Sequence, residues 1–229
     1  MTDLRRKELV LDQGFVRLVD WMGDDLSVVR AARVSFDADW RVGDDVNQDE
    51  RLIRYLMKHK HTSPFEAVTF TFEVKAPIFV LRQWHRHRTW SYNEVSARYA
   101  ELDEGSFIPY PDTITRQSAD NKQARTAEPH ELRHQFAKMI AAQNRESLHT
   151  YEDLIQAGCP RELARCVLPV ATYSRMFATV DLHNLLHFLR LRLHPHAQFE
   201  IRVYAEAVLA IIRDVVPVSV AAFEESLYD

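Results

Sequence analysis

Hydrophobic and polar positions alternate most cleanly between Val68 and Lys75. There Val68, Phe70, Phe72 and Val74 interleave with Thr69, Thr71, Glu73 and Lys75, a period of two that predicts a strand with one buried face. Pro77 ends the run and suits the first turn of a helix. Phe79, Gln83 and Arg86 then share a helical face at offsets of four and three. Phe15 to Asp20 follows a turn-like Gly14 and reads as a short strand, after which Asp24 or Asp25 is placed to cap a helix through Ser35. Beyond a polar break, residues 47 to 60 carry Leu52, Ile53, Leu56 and Met57 on one helical stripe.

Residues 112 to 127 are polar and poor in large apolar side chains, which predicts an exposed insertion. Residues 129 to 157 are the longest helical stretch, with Phe136, Met139, Ile140, Tyr151, Leu154 and Ile155 at helical offsets. Such a helix would span about 43 Å, a length that suits an oligomer interface. Gly158 stops it, and Pro160 restarts a helix with Arg161 and Arg165 on one side. Residues 171 to 180 read as a strand. Asp181 then caps a helix whose Leu182, Leu185, Leu186, Leu189 and Leu193 form a buried stripe.

With 229 residues the chain has room for one sizeable core, and residues 1–229 read as a single domain with residues 1–13 as an N-terminal extension. No apolar run approaches the roughly 20 residues needed to cross a bilayer, and the first seven residues lack the apolar stretch of a signal peptide. A cytoplasmic location and no membrane partner are expected. Cys159 and Cys166 are the only cysteines, seven apart in an expected helix, with neither bridging nor C-x-x-C spacing. A net charge of −4 argues against a general nucleic-acid binder. None of the five glycines has the spacing of a dinucleotide or phosphate-binding turn.

Locally the charge reverses. Arg82, Arg86, Arg88 and Arg98 face the single acid Glu94 between residues 82 and 98. Arginine forks bind phosphate or carboxylate bidentately, and the interleaved Ser, Asn, Tyr and His supply neutral donors. Trp90, Tyr92 and Tyr99 argue against a merely solvated face. Ser91 and Ser96 have no neighbouring glycine for a nucleophile elbow. Cys159 stands before a helix start, where a structural role is expected. The histidines pair as His59/His61, His85/His87, His183/His187 and His194/His196, but no acid stands between them in the zinc-protease manner, so no metal is expected. Arg165 and Arg192 lie on expected helices among apolar residues, where an arginine is costly without an anion. Pairing with Glu162 or Glu200 is the open alternative.

Arg86-His87-Arg88, seven residues, then Ser96 resembles the signature of the flavin-dependent thymidylate synthases, and its extended form Arg-His-Arg-x-x-Ser-x-Asn-Glu-x-Ser-x-Arg-Tyr runs through Tyr99. Family blocks follow in order: Lys58 to Glu66, Lys75-Ala76-Pro77, Arg82-Gln83-Trp84, Pro160 to Arg165, and His196-Ala197-Gln198. The resemblance implies an α+β fold: an antiparallel sheet flanked by helices, with a long helix and a helical C-terminal part, assembled as a homotetramer with FAD at subunit interfaces. It implies conversion of dUMP to dTMP, with 5,10-methylenetetrahydrofolate giving the carbon and NADPH reducing the flavin. By position, Ser63, Arg86, His87, Arg88 and Glu94 fall where the family contacts FAD. Gln83, Trp84, His85, Arg86, Glu94, Val95, Ser96, Ala97, Arg98 and Arg165 fall where it holds dUMP. Arg192 matches the arginine that promotes ionisation at N3 of the uracil, His61 matches a histidine near the flavin, and Tyr99 closes the motif. No cysteine nucleophile is implied.

Asp181, Leu182, His183 and His187 stand in the later FAD-binding segment, where the family often has Asn-x-Arg and then Asn. Histidine for arginine removes a permanent charge, and Asp181 repels phosphate unless it caps the helix. Two other classes compete: a non-catalytic nucleotide or RNA binder, which would purify without flavin colour, and a metal hydrolase built on His183 to His196, which a chelator would silence.

Overall fold

Two strands, β1 (Lys7–Val10) and β2 (Gly14–Met22), open the fold as an antiparallel pair in a computed structural model that describes residues 6–102 and 105–227. The first five residues of the segment read as an extension lie outside the described residues; its remainder supplies the edge strand of the sheet. Then come α1 (Asp25–Arg33), α2 (Val46–Lys58), β3 (Thr69–Pro77), α3 (Ile78–Trp84) and β4 (Ser91–Glu94). The hairpin β5 (Thr115–Gln117) and β6 (Arg125–Pro129) precedes α4 (Arg133–Gln156) and α5 (Arg161–Ala164). Last are β7 (Tyr173–Asp181), α6 (Leu182–Arg192), α7 (Phe199–Ile212) and α8 (Pro217–Glu225). The main sheet runs β1-β2-β3-β7-β4, antiparallel at every pairing. This is the α+β architecture expected.

Local chemistry explains most boundaries. Asp24 accepts from the Ser27 N–H at 3.1 Å while the Ser27 hydroxyl accepts from the Asp24 N–H at 3.2 Å, a capping box that starts α1. Asp181 caps α6 in the same role, accepting from the Asn184 N–H at 2.9 Å and from its side-chain amide at 2.7 Å. On β3, Phe70, Phe72 and Val74 are fully buried against the leucine stripe of α6 and the apolar face of α7. The opposite face is polar but not bare: the hydroxyls of Thr71 and Thr179 bond at 2.9 Å, and Glu73 is flanked by Arg17 and Arg175.

Several expectations shift. α3 stops at Trp84, so Arg86 lies beyond its face, because the chain turns sharply to enter β4. β4 itself, Ser-Tyr-Asn-Glu, has no apolar alternation; its pairing with β7 makes it a strand. The polar segment 112 to 127 folds largely into the β5–β6 hairpin, whose second strand runs on to Pro129. α4 therefore starts later, spanning 24 residues and about 36 Å. Its Met139 and Ile140 are exposed; Ala137, Asn144 and Tyr151 are the residues it buries. The helix between the cysteines is a four-residue turn, and both thiols are free. No helix among the described residues is long and apolar enough to cross a membrane.

Gly14 joins three elements. A β-carbon there would lie 2.0 Å from the Tyr204 hydroxyl of α7 and 2.8 and 2.9 Å from the carbonyls of Val10 and Lys75. Tyr204 uses that closeness to donate to the Lys75 carbonyl at 2.7 Å. Gly14→Ala should destabilise the fold by about 1–3 kcal/mol, as overpacking does, read as a lower thermal midpoint. Adding Tyr204→Phe should make the double variant less unstable than the sum of the two singles. An unchanged midpoint in Gly14→Ala would rule out this close approach.

Candidate functional site

The arginine-rich turn is held from beneath by aromatic packing. Trp84, fully buried at the end of α3, stacks on Phe188 of α6 with centroids 4.8 Å apart, and Trp90 packs edge-on against Trp84 at 5.7 Å and tilted against Phe188 at 5.2 Å. Tyr92 lies parallel to Trp90, and its hydroxyl donates to the carbonyls of Trp84 at 3.1 Å and His87 at 2.9 Å. Burial raises the Tyr92 phenol far above its ordinary value, which keeps that donor protonated. The rings of Trp90 and Tyr92 thus serve as scaffold. Of the three rings that argued against a solvated face, only Tyr99 is open to solvent.

Arg192, in the last turn of α6, reaches back to this turn. Its Nε donates to His87 Nε2 at 3.0 Å and its Nη2 to the Gln83 carbonyl at 3.1 Å. Arginine has no acceptor, so His87 Nε2 must carry the lone pair and the ring proton sits on Nδ1. Burial first, then the nearby Arg192 and His187, push the His87 imidazole down to about 4. Burial also lowers the Arg192 guanidinium from its ordinary value, yet it stays a cation. A neutral ring thus holds a charged arginine in place.

Two clefts gather expected residues. The larger, about 570 Å³, is lined by Glu94 at the end of β4 and by Val95, Ser96 and Ala97 after it, by Arg82 of α3, and by Arg165, Cys166 and Ser174. These residues come from three separate stretches of chain. Arg98 turns instead towards Glu162 at 3.7 Å, whose carbonyl also accepts from Arg165 Nε at 3.3 Å. The smaller cleft, about 260 Å³, is lined by Lys60, His61, Thr62, His183, His187 and Arg190, with an apolar floor that includes Phe65 and Phe223. Its His187 ring lies 6.3 Å from that of His87. His61, His183 and His187 were expected together; Lys60 and Arg190 carry no separate signature beside so many basic residues. Arg190 is anchored by the Ser226 hydroxyl at 2.7 Å.

The remaining expected residues divide by exposure. Arg86, Arg88 and Ser63 are exposed, and their side chains have no partner among the described residues. His85, half-buried, packs on Tyr92 and stands 4.0 Å from Glu94. The Trp84 and Leu182 side chains are inside the core, so only their backbone can face a ligand. Asp181 is committed to the α6 cap. His194 and His196 pack on each other at 4.8 Å in the α6–α7 connection, and no three His, Cys, Asp or Glu among the described residues are grouped to hold a metal.

Such an arrangement suits an anionic, planar ligand. Free guanidinium groups suit phosphates, half-buried imidazoles and amides can supply neutral contacts, and one immobilised arginine presents a fixed positive charge. The family model described as thymidylate synthase complementing protein matches residues 17–218. A flavin-dependent thymidylate synthase of Thermus thermophilus is 49% identical over 220 residues, covering 96% of this chain and 79% of that protein. Its counterpart in Treponema denticola is 48% identical over 217 residues, covering 94% and 80%. Among solved structures, a UMP/dUMP methylase, PolB, from Streptomyces cacaoi bound with 5-Br dUMP superposes with a TM-score of 0.85 at 39% identity, covering 95% of this chain and 97% of that one.

The neutral state of His87 has a consequence for stability. Its imidazole takes a proton near 6.5 when unfolded but resists protonation to about 4 in the fold. The unfolded state therefore binds more protons within that window, and stability falls as pH drops from 6.5 towards 4. His87→Gln, which keeps an acceptor but cannot titrate, should lose thermal midpoint less steeply over the same range. Equal slopes would assign the acid sensitivity to other groups.

Proposed function

Because the chain belongs to the family of flavin-dependent thymidylate synthases, we propose that it methylates dUMP to dTMP reductively, taking the carbon from 5,10-methylenetetrahydrofolate and using FAD that NADPH reduces. The observation that carries this reading is the convergence of Glu94–Ala97, Arg82 and Arg165 on one cleft, together with an Arg192 locked by His87 and the Gln83 carbonyl. Arg165, Arg82 and Ser96 hold the nucleotide phosphate and sugar. Arg192 faces the uracil, where its fixed positive charge favours loss of the N3 proton and stabilises the electron-rich ring that must attack carbon at C5. Gln83, His85 and the backbone of residues 94 to 98 complete the nucleotide contacts.

The residues fit a flavin, as far as one protomer supplies them. Arg86 and Arg88 offer unpartnered cations for the diphosphate, and His61, His183 and His187 edge the smaller cleft. Its 260 Å³ falls just below the usual range for a small ligand, about 300–1,000 Å³; the family resemblance assigns the rest of the dinucleotide site to a neighbouring subunit of a homotetramer. Exposed Phe36, Trp40 and Met139 agree with surfaces covered on assembly. When bound, the flavin supplies the hydride, which removes the need for a cysteine nucleophile. The protein is read as a cytoplasmic enzyme of dTMP synthesis.

Purified protein should be yellow, bleach with NADPH, and form dTMP only when dUMP and the folate are both present. A colourless protein that FAD cannot reconstitute would overturn the reading. Arg192→Ala should keep its flavin yet lose at least about 10²-fold in turnover, the usual scale for removing one oriented donor of this kind. Cys166 lines the larger cleft, so the claim of no thiol nucleophile can be tested there. The Cys159→Ala/Cys166→Ala double variant should turn over within about twofold of the parent; abolished turnover with flavin retained would restore a thiol to the mechanism.

A further inference from the structure

Glu200 is a carboxylate buried in the first turn of α7. Arg125 of β6 donates through Nη2 to both of its oxygens at 3.0 Å, and through Nη1 to the Thr113 carbonyl at 3.2 Å. The side-chain amide of Gln198 donates to Glu200 at 2.7 Å, and the Gln198 carbonyl in turn accepts from the side-chain amide of Gln83. Gln83 also gives its backbone carbonyl to Arg192. An unbroken chain of contacts thus joins the β5–β6 hairpin to the arginine of the reaction.

The direction of that chain is chemically forced. A carboxylate paired with arginine has no proton to give, so Gln198 must turn its NH2 towards Glu200. Its carbonyl is left facing Gln83 and can only accept. Gln83 must therefore spend its NH2 on Gln198, leaving its own side-chain carbonyl as the open end, without a partner among the described residues. If Glu200 could also donate, Gln198 could flip and the polarity of Gln83 would be undetermined.

We propose that Glu200 is a positioning residue: acting through Gln198, it fixes the Gln83 amide so that the site offers an acceptor there, selecting a nucleotide that presents a sugar hydroxyl as donor. Arg125 neutralises the buried charge and so allows a carboxylate to set the direction. The proposal rests on the reading that Gln83 contacts the pyrimidine nucleotide.

Two replacements separate this role from a merely structural one. Glu200→Gln keeps the shape and an acceptor for Arg125 but no longer dictates the orientation of Gln198. Gln198→Leu severs the chain at an exposed position and leaves the ion pair intact. Each should lower kcat/KM for dUMP about tenfold or more, a loss of the size that small misplacements cause. Each should add less than twofold when combined with Gln83→Leu, which removes the amide being oriented. Losses that multiply in the double variants, or a Gln198→Leu enzyme at parental kcat/KM, would overturn the proposal even if the parent methylates dUMP. A parent that neither binds nor methylates dUMP would overturn the functional reading and the proposal together.

Discussion

A guanidinium taken half out of water must be given acceptors, and the arrangement around Arg192 follows from that requirement. Its acceptors, the Gln83 carbonyl and His87 Nε2, lie in the last turn of α3 and on the turn that follows it. A mobile turn could not hold a cation against its pull towards solvent. The turn is made rigid by stacking Trp84 on Phe188, which belongs to the same helix as Arg192, and by the Tyr92 hydroxyl that closes on two of its carbonyls. Each aromatic pair adds about 0.5–1.5 kcal/mol beyond its buried area. The scaffold and its cation therefore depend on each other, and on β7, which carries β4 on one edge and leads straight into α6.

The sheet sets where the two clefts open. β3 and β7 pair over nine residues, from Thr69↔Asp181 to Pro77↔Tyr173, which places the start of α3 beside the start of β7 and the start of α6 beside the start of β3. α6 then returns across the sheet and brings its last turn, with Arg192, to the end of α3. Residues distant in sequence meet because two antiparallel strands feed helices at opposite ends.

How much of this could be read from the chain depended on range. Periods of two and of three to four are local properties, so β3, α2, β7 and α6 were legible from Phe70–Val74, Leu52–Met57 and the leucines after Asp181. Caps were legible for the same reason; Asp24 and Asp181 act through residues three positions on. β4 was not, because Ser-Tyr-Asn-Glu gains its conformation from β7, some 85 residues away. Trp90 and Tyr92, which in the sequence argue only against a merely solvated face, fill the space under the turn. The bonds from Arg192 to His87 and from Gln198 to Gln83 span more than 100 positions and leave no mark in spacing. The motif names candidate residues; only the fold says which of them hold and which are held.

The arginines sort by the charge of what they touch. Arg125 on Glu200, Arg33 on Asp49 and Arg213 on Glu224 meet carboxylates, and a paired carboxylate cancels most of the field a guanidinium offers to anything else. These three tie elements together. Arg192 is held by a neutral imidazole and a carbonyl, while Arg82, Arg86 and Arg88 have no partner among the described residues. Neutral acceptors fix direction without spending charge, so the field of Arg192 stays available to a ligand. An acid in the place of His87 would hold the side chain more tightly and cancel most of its field. The depressed basicity of His87 belongs to the same logic: a protonated ring would repel Arg192 and give up the only lone pair that fixes its Nε.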